Sequence, residues 1–193
     1  MNYNAVISVR DISDDSGTIT EPVTLQEMKD YLRLEGYVDT DQSTSDSLSN
    51  FTFDDALIRD MITASRQLME ETLNMSLVFH TWEAVLNNGN GMQEIPYGPV
   101  IRFWYVKDKD GVSLDYTTIG NLWYNLKTPV ACGLIVTYDA GYGDTLTQRL
   151  PKGIKIDLMR LTAYMYEHRG DETNIENFVS QLARKYSRNT WIV

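Results

Sequence analysis

The spacing of hydrophobic residues changes twice along this chain, and few folds accommodate both changes. Leu25, Met28 and Leu32 recur at helical spacing, and so do Leu57, Ile58, Met61, Ile62, Leu68, Met69 and Leu73. Short runs rich in β-branched and aromatic residues then take over: 77–86 (LVFHTWEAVL), 100–106 (VIRFWYV), 112–119, 121–126 and 130–138. Asn88-Gly89-Asn90-Gly91, Tyr97-Gly98-Pro99 and Asp108-Lys109-Asp110-Gly111 are turn signals between the first of them. Helical spacing returns with Ile154, Leu158, Leu161 and Met165, and again with Ile175, Phe178, Val179 and Leu182. The pattern predicts an α+β fold in one domain, residues 1–193. A small α-helical body of about four helices (22–76 and 150–187) holds an antiparallel β insertion (77–140) between the second and third helices. The strands are expected in meander order, residues 2–9 add a short strand, and 188–193 form a C-terminal tail.

Local signals fix several ends. Thr24 and Glu27 have the spacing of a capping box, which predicts a helix to about Leu34. Asp54 opens the second helix, Pro151 opens the third near its first turn, and Gly170 stops it. The loop 36–53 is rich in Ser, Thr and Asp. As a calcium loop it fails, because Thr44 stands where glycine is required and Asn50 where glutamate is.

The net charge of −10 is concentrated. Residues 11–60 hold 13 acids and 3 bases, leaving fourteen of each elsewhere. No basic patch of the kind a nucleic-acid binder uses is evident. The start, MNYNAVISVRDISDDSG, lacks the basic and apolar blocks of a signal peptide, and one cysteine, Cys132, rules out an internal disulfide. Synthesis in a cytoplasm is expected.

The stretch VTYDAGYGDTLTQRLPKGIK (136–155) has the strand–glycine–helix order of a phosphate cradle, but not its chemistry. No Walker lysine follows Gly143, Leu146 takes the place of a third glycine, and Asp139 and Asp144 would repel phosphate. His80 reads as a packed, hydrogen-bonded histidine in a strand, and His168 as a helix-end residue. No nucleophile, metal or cofactor pattern emerges, so catalysis, metal and cofactor are not expected.

Taken in order, the segments resemble the head–tail connector, or adaptor, proteins of tailed bacteriophages. EPVTLQEMKDYLRLEG (21–36) is similar to that family's first helix, and DDALIRDMITASRQLMEETLNMSL (54–77) to its second. HTWEAVL (80–86) and EIPYGPVIRFWYVKDKDGV (94–112) resemble its strands. VTYDAGYGD followed by LPKGIKIDLMRLTAYMYEHRGD resembles its most characteristic passage, a strand, Ala-Gly-Tyr and a Pro-capped helix. The loop 36–53 is longer and more acidic than the family pattern, and only Tyr186 and Arg188 match its ending.

The resemblance implies a ring of about a dozen subunits under the portal, extending the DNA channel to the next head-completion or tail protein. Double-stranded DNA would pass through unread, the location would be the virion's head–tail junction, and no membrane would be involved. It also implies roles for particular residues. Tyr186, Arg188, Trp191, Ile192 and Val193 are candidates for the portal interface. Asp39, Asp41, Asp46, Asp54 and Asp55 are candidates for facing the channel or a neighbouring subunit. Gly141 and Gly143 become a hinge that turns the last strand back into the helices, with Tyr142 as a packing anchor. The competing expectation is a phage or prophage protein-binding module that forms no ring.

Overall fold

A computed structural model describes residues 6–13, 20–34, 54–87, 92–120, 124–129, 133–143, 149–169 and 172–186. Its elements are β1 (Val6–Asp11), α1 (Leu25–Leu32), α2 (Asp55–Leu73), β2 (His80–Leu86), β3 (Met92–Glu94), β4 (Val100–Asp108), β5 (Thr117–Ile119), β6 (Asn125–Lys127), β7 (Leu134–Ala140), α3 (Lys152–Glu167) and α4 (Glu172–Lys185). The fold is α+β, with the β region between the second and third helices as expected. The chain forms two compact units. One joins Met1–Thr20 to Glu70–Leu150, and the other joins Glu21–Met69 to Pro151–Val193.

In the first unit the strands are antiparallel but not a meander. The orders are β1-β2-β7-β4 and β3-β6-β5, so β7 pairs with both β2 and β4. Turn signals show where a chain reverses, but the burial of each face decides which strand is met. Leu134, Val136, Tyr138 and Ala140 on β7 are all fully buried. They need apolar neighbours on both sides. Ala84 and Leu86 of β2 and Val100 and Val106 of β4 supply these, and Ile95 and Leu126 pack against the same face. The Tyr138 hydroxyl donates to the Pro96 carbonyl at 2.7 Å, and burial pushes that phenol above its ordinary range.

The expected strand at 112–119 shrinks to Thr117–Ile119, because the turn at 108–111 folds the next residues back on β4. The amides of Asp110 and Val112 donate to the Asp108 carboxylate, Gly111 takes φ +82°, and Ser113 bridges to Lys107. The strand expected from 77 begins at His80 instead. The Leu77 amide donates to the Glu70 carboxylate at 2.7 Å rather than to a sheet.

The second unit starts at a capping box with both arms made. The Thr24 amide donates to Glu27 Oε2 at 2.9 Å, and the Glu27 amide donates to Thr24 Oγ1 at 3.2 Å. Helix α1 stops at Leu32, not Leu34, because Arg33 turns left-handed at φ +56°. Buried apolar side chains include Met28, Ile58, Ile62, Ile154, Leu158 and Leu161. Two buried cations are matched by acids: Lys29 lies 3.0 Å from Asp55, and Arg66 lies 2.9 Å from Glu21. Pro151 stands at the N-cap of α3, and His168 closes it while stacking on Tyr164 at 4.2 Å between centroids. The proposed stop at Gly170 and the rejected calcium loop lie outside the described residues.

Candidate interaction surface

The exposed large hydrophobic side chains are unevenly shared. Among the described residues, all but Tyr31 and Ile156 belong to the first unit. The densest group is on β4, where Phe103-Trp104-Tyr105 breaks strand alternation. A regular strand sends alternate side chains to opposite faces. Here the register slips between Val100 and Arg102 and again between Phe103 and Tyr105. Phe103 packs on the core, while Trp104 and Tyr105 are 46% and 55% exposed.

A buried carboxylate organises this strand. Asp139 is 1% exposed and accepts from Thr81 Oγ1 and Trp104 Nε1, both at 2.8 Å, and from Arg102 Nε at 2.5 Å. The Arg102 guanidinium lies 3.7 Å over the centroid of the Trp104 ring, and Lys107 Nζ lies 4.7 Å from the Tyr105 centroid. Stacking and hydrogen bonding therefore hold an exposed Arg–Trp–Tyr–Lys platform in place. Tryptophan, tyrosine and arginine are the residue types that anchor protein interfaces, and fixing them beforehand lowers the entropy lost on binding.

At the end of the same sheet, His80 sits between two acids. Its Nδ1 is 2.7 Å from Asp11 Oδ2, and its Nε2 faces Glu70 Oε1 at 3.6 Å, beyond hydrogen-bond reach. Trp82 stacks on Tyr97 beside it and donates to Ser76 Oγ at 2.8 Å. Burial alone would lower the His80 pKa, but Glu70 and Asp11 outweigh it and raise the value. Burial works the other way on Asp11. It would raise that carboxyl, but Ser13 and His80 hold it below its ordinary value. A histidine whose folded pKa is raised stabilises fully below its unfolded pKa of about 6.5, and that contribution is lost as pH rises through the folded value. The stability gap between the parent and His80→Gln should therefore be largest below about pH 6 and close toward alkaline pH, read by thermal melts. A gap that widened with rising pH would mean that His80 is neutral in the fold.

The expected site residues fall in different places. Tyr186 is 7% exposed, and its hydroxyl donates to Asp157 Oδ2 at 2.5 Å, at the end of α4. Asp55 is 3% exposed in its pair with Lys29, and Asp54 accepts from Tyr166 at 2.6 Å with Arg169 at 3.6 Å. Gly141 takes φ +115° against the Val78 backbone, whereas Gly143 has open space around it and no positive φ. Tyr142 is half-buried, and burial raises its phenol. Asp39, Asp41, Asp46, Arg188, Trp191, Ile192 and Val193 lie outside the described residues. No group of three or more metal-binding side chains, and no helix long and apolar enough to cross a membrane, occurs among the described residues.

The β4 platform was not anticipated, although its signal was present. Three consecutive aromatics in a strand cannot all reach one core without a bulge.

Neither a protein-family model nor a curated protein sequence matches the chain. Solved structures do. A chain in the neck of an empty gene transfer agent particle, computed with C6 symmetry, superposes with a TM-score of 0.65 at 16% identity, covering 91% of this chain and 95% of that one. A chain in the virion of the native particle gives 0.65 at 18% identity, covering 93% and 95%. A chain in the native neck, computed with C12 symmetry, gives 0.62 at 16% identity, covering 91% and 94%. Likeness at this level of identity is a likeness of fold, and it agrees with the resemblance to head–tail connectors. The chain shares its fold, over nearly its whole length, with chains from the neck and virion of a gene transfer agent.

Proposed function

We propose that this chain is a non-enzymatic structural component of the neck of a phage-like particle. It is a head–tail connector that assembles as a ring under the portal, extends the DNA channel and receives the next head-completion or tail protein. The observation that supports this reading is the shared fold with neck chains, which covers more than nine-tenths of both partners. The C6 and C12 symmetries used for those necks fit a closed ring of identical subunits.

In this reading Arg188, Trp191, Ile192 and Val193 dock on the portal from the end of α4, which Tyr186 anchors. Asp39, Asp41 and Asp46 face the channel or a neighbouring subunit. A carboxylate-lined channel would keep phosphates from adhering, so DNA could slide. Asp54 and Asp55 belong to the same acidic region, with their carboxylates committed to Tyr166, Arg169 and Lys29.

Electron microscopy of the purified chain, alone and mixed with its portal protein, tests the proposal. A ring capping the portal is the expected result. A chain that stays monomeric and ignores the portal would favour the non-ring binding module. Because each subunit carries −10, self-repulsion opposes assembly. Ring formation should therefore be salt-sensitive, or should need the portal as a template. Equal yields at low and high ionic strength would refute that electrostatic account.

A further inference from the structure

We infer that the β4 platform is one half of a subunit–subunit contact, and that residues 36–53 of a neighbouring copy are the other half. The inference rests on the ring reading above and names the contact that would build the ring.

The sheet offers a face rather than an edge. Register shifts interrupt both outer strands, at Val6/Ser8 in β1 and at two places in β4. Ser113 and Leu114 cover the far end of β4, the latter donating its amide to Val106. Bulged and covered edges resist strand-by-strand pairing. On the face turned away from the core, Arg102, Trp104, Tyr105 and Lys107 stand beside half-buried Ile135 and Thr137 of β7.

This platform keeps cationic capacity in reserve. Arg102 commits Nε to Asp139, and its terminal guanidinium nitrogens meet no other acceptor among the described residues. Lys107 has no carboxylate partner there; its ammonium contacts only the Tyr105 ring. The fitting ligand is therefore a peptide with two or more carboxylates and some apolar or aromatic side chains.

The chain itself carries such a segment. Residues 36–53 hold Asp39, Asp41 and Asp46, no lysine or arginine, and Tyr37, Phe51 and Phe53. Asp39 and Asp41 are two residues apart, so a segment lying extended along β4 presents both carboxylates on one side, toward the face that holds Arg102 and Lys107. Duplex DNA suits the platform less well. It brings a charge every 1.7 Å or so toward a subunit of −10, with Glu83 and Asp139 on the same face. Every copy offers both halves, so the contact is head-to-tail, the kind that closes into a ring.

Charge reversal with mixing tests this on the full chain. At a concentration where the parent assembles, R102E/K107E and D39K/D41K/D46K should each be monomeric by mass photometry. An equimolar mixture should assemble again, because each variant then supplies what the other lacks. Should R102E/K107E fail to fold, R102Q/K107Q removes both charges without reversing them and should weaken assembly by about tenfold. A synthetic peptide of residues 36–53, titrated calorimetrically onto full-length D39K/D41K/D46K, reads the same contact without any ring. It should bind saturably, weaken in high salt, and lose binding when its three aspartates become asparagine.

Unchanged assembly of both variants, or no peptide binding, would overturn the contact. So would rescue only when both sets of changes share one chain, which would place the segment on its own platform. Duplex DNA binding that disappears in R102Q/K107Q would make a polyanion the occupant and also overturn it. Peptide binding without any ring in the microscope would sink the ring reading alone, whereas a ring formed by both variants would sink the contact alone.

Discussion

Gly141→Ala is expected to leave little folded protein. Gly141 follows β7 at φ +115°, a conformation that L side chains rarely adopt. A Cβ built there would lie 1.8 Å from the Val78 carbonyl oxygen and 2.6 Å from its carbon. Those are backbone atoms, so no rotamer change relieves the clash. They are also held: the Leu77 and Val78 amides donate to Glu70, and the Gly141 amide donates to Pro99 at 2.9 Å. Strain at such a φ costs about 1–3 kcal/mol, and overpacking a similar amount or more. Together they remove a large part of the roughly 5–15 kcal/mol by which a protein of this kind is stable. Gly143→Ala is the control, since nothing lies within 4 Å of its built Cβ and its φ is not positive. It should shift stability by no more than about 0.5 kcal/mol. Urea denaturation of the soluble fractions distinguishes the two. Similar losses at both glycines would mean that flexibility, not the close approach to Val78, is what the turn requires.

The contrast between these glycines shows how far the sequence could be read. The string Ala-Gly-Tyr-Gly announced a turn, but a glycine's φ depends on what it packs against, and Val78 lies 63 positions earlier in the chain. Helix signals are local and were legible: Thr24 with Glu27, Pro151, and the spacing of Ile154, Leu158 and Leu161. Apart from β3 (Met92–Glu94), which the sequence pattern did not place, strand positions were legible to within a few residues. Strand order was not, because β7 finds β2 and β4 through burial and not through any adjacent turn. The platform depends on the same long-range pairing. Asp139 looked like a loop acid that would repel phosphate. Only the register that places it opposite Thr81 and Arg102 makes it a buried acceptor.

Tyr186→Ala is expected to cost about 3 kcal/mol, because truncating a buried aromatic leaves a cavity. For a chain of this size the melting temperature should fall by roughly 6–12 °C. The ring is 7% exposed, and its hydroxyl lies 3.5 Å from a Cβ built at Gly153. Its partner Asp157 is itself 3% exposed and also takes Lys185 at 2.5 Å and Arg160 at 3.2 Å. Burial would raise the Asp157 carboxyl, but Lys185, the Tyr186 hydroxyl and Arg160 outweigh it and hold it below its ordinary value. Both cations are more than half exposed and can turn to water, so the loss falls mainly on the cavity. Tyr186→Phe keeps the ring and should cost only about 1–2 kcal/mol. Deleting residues 187–193 leaves this anchor whole, so the melting temperature should stay within about 2 °C of the parent while portal binding is lost. These outcomes assign different roles to neighbouring residues, Tyr186 holding the end of α4 and the segment beyond it meeting the partner. If Tyr186→Phe instead weakened portal binding without moving the melting temperature, the hydroxyl would belong to the interface, and Asp157 would have to release it on binding.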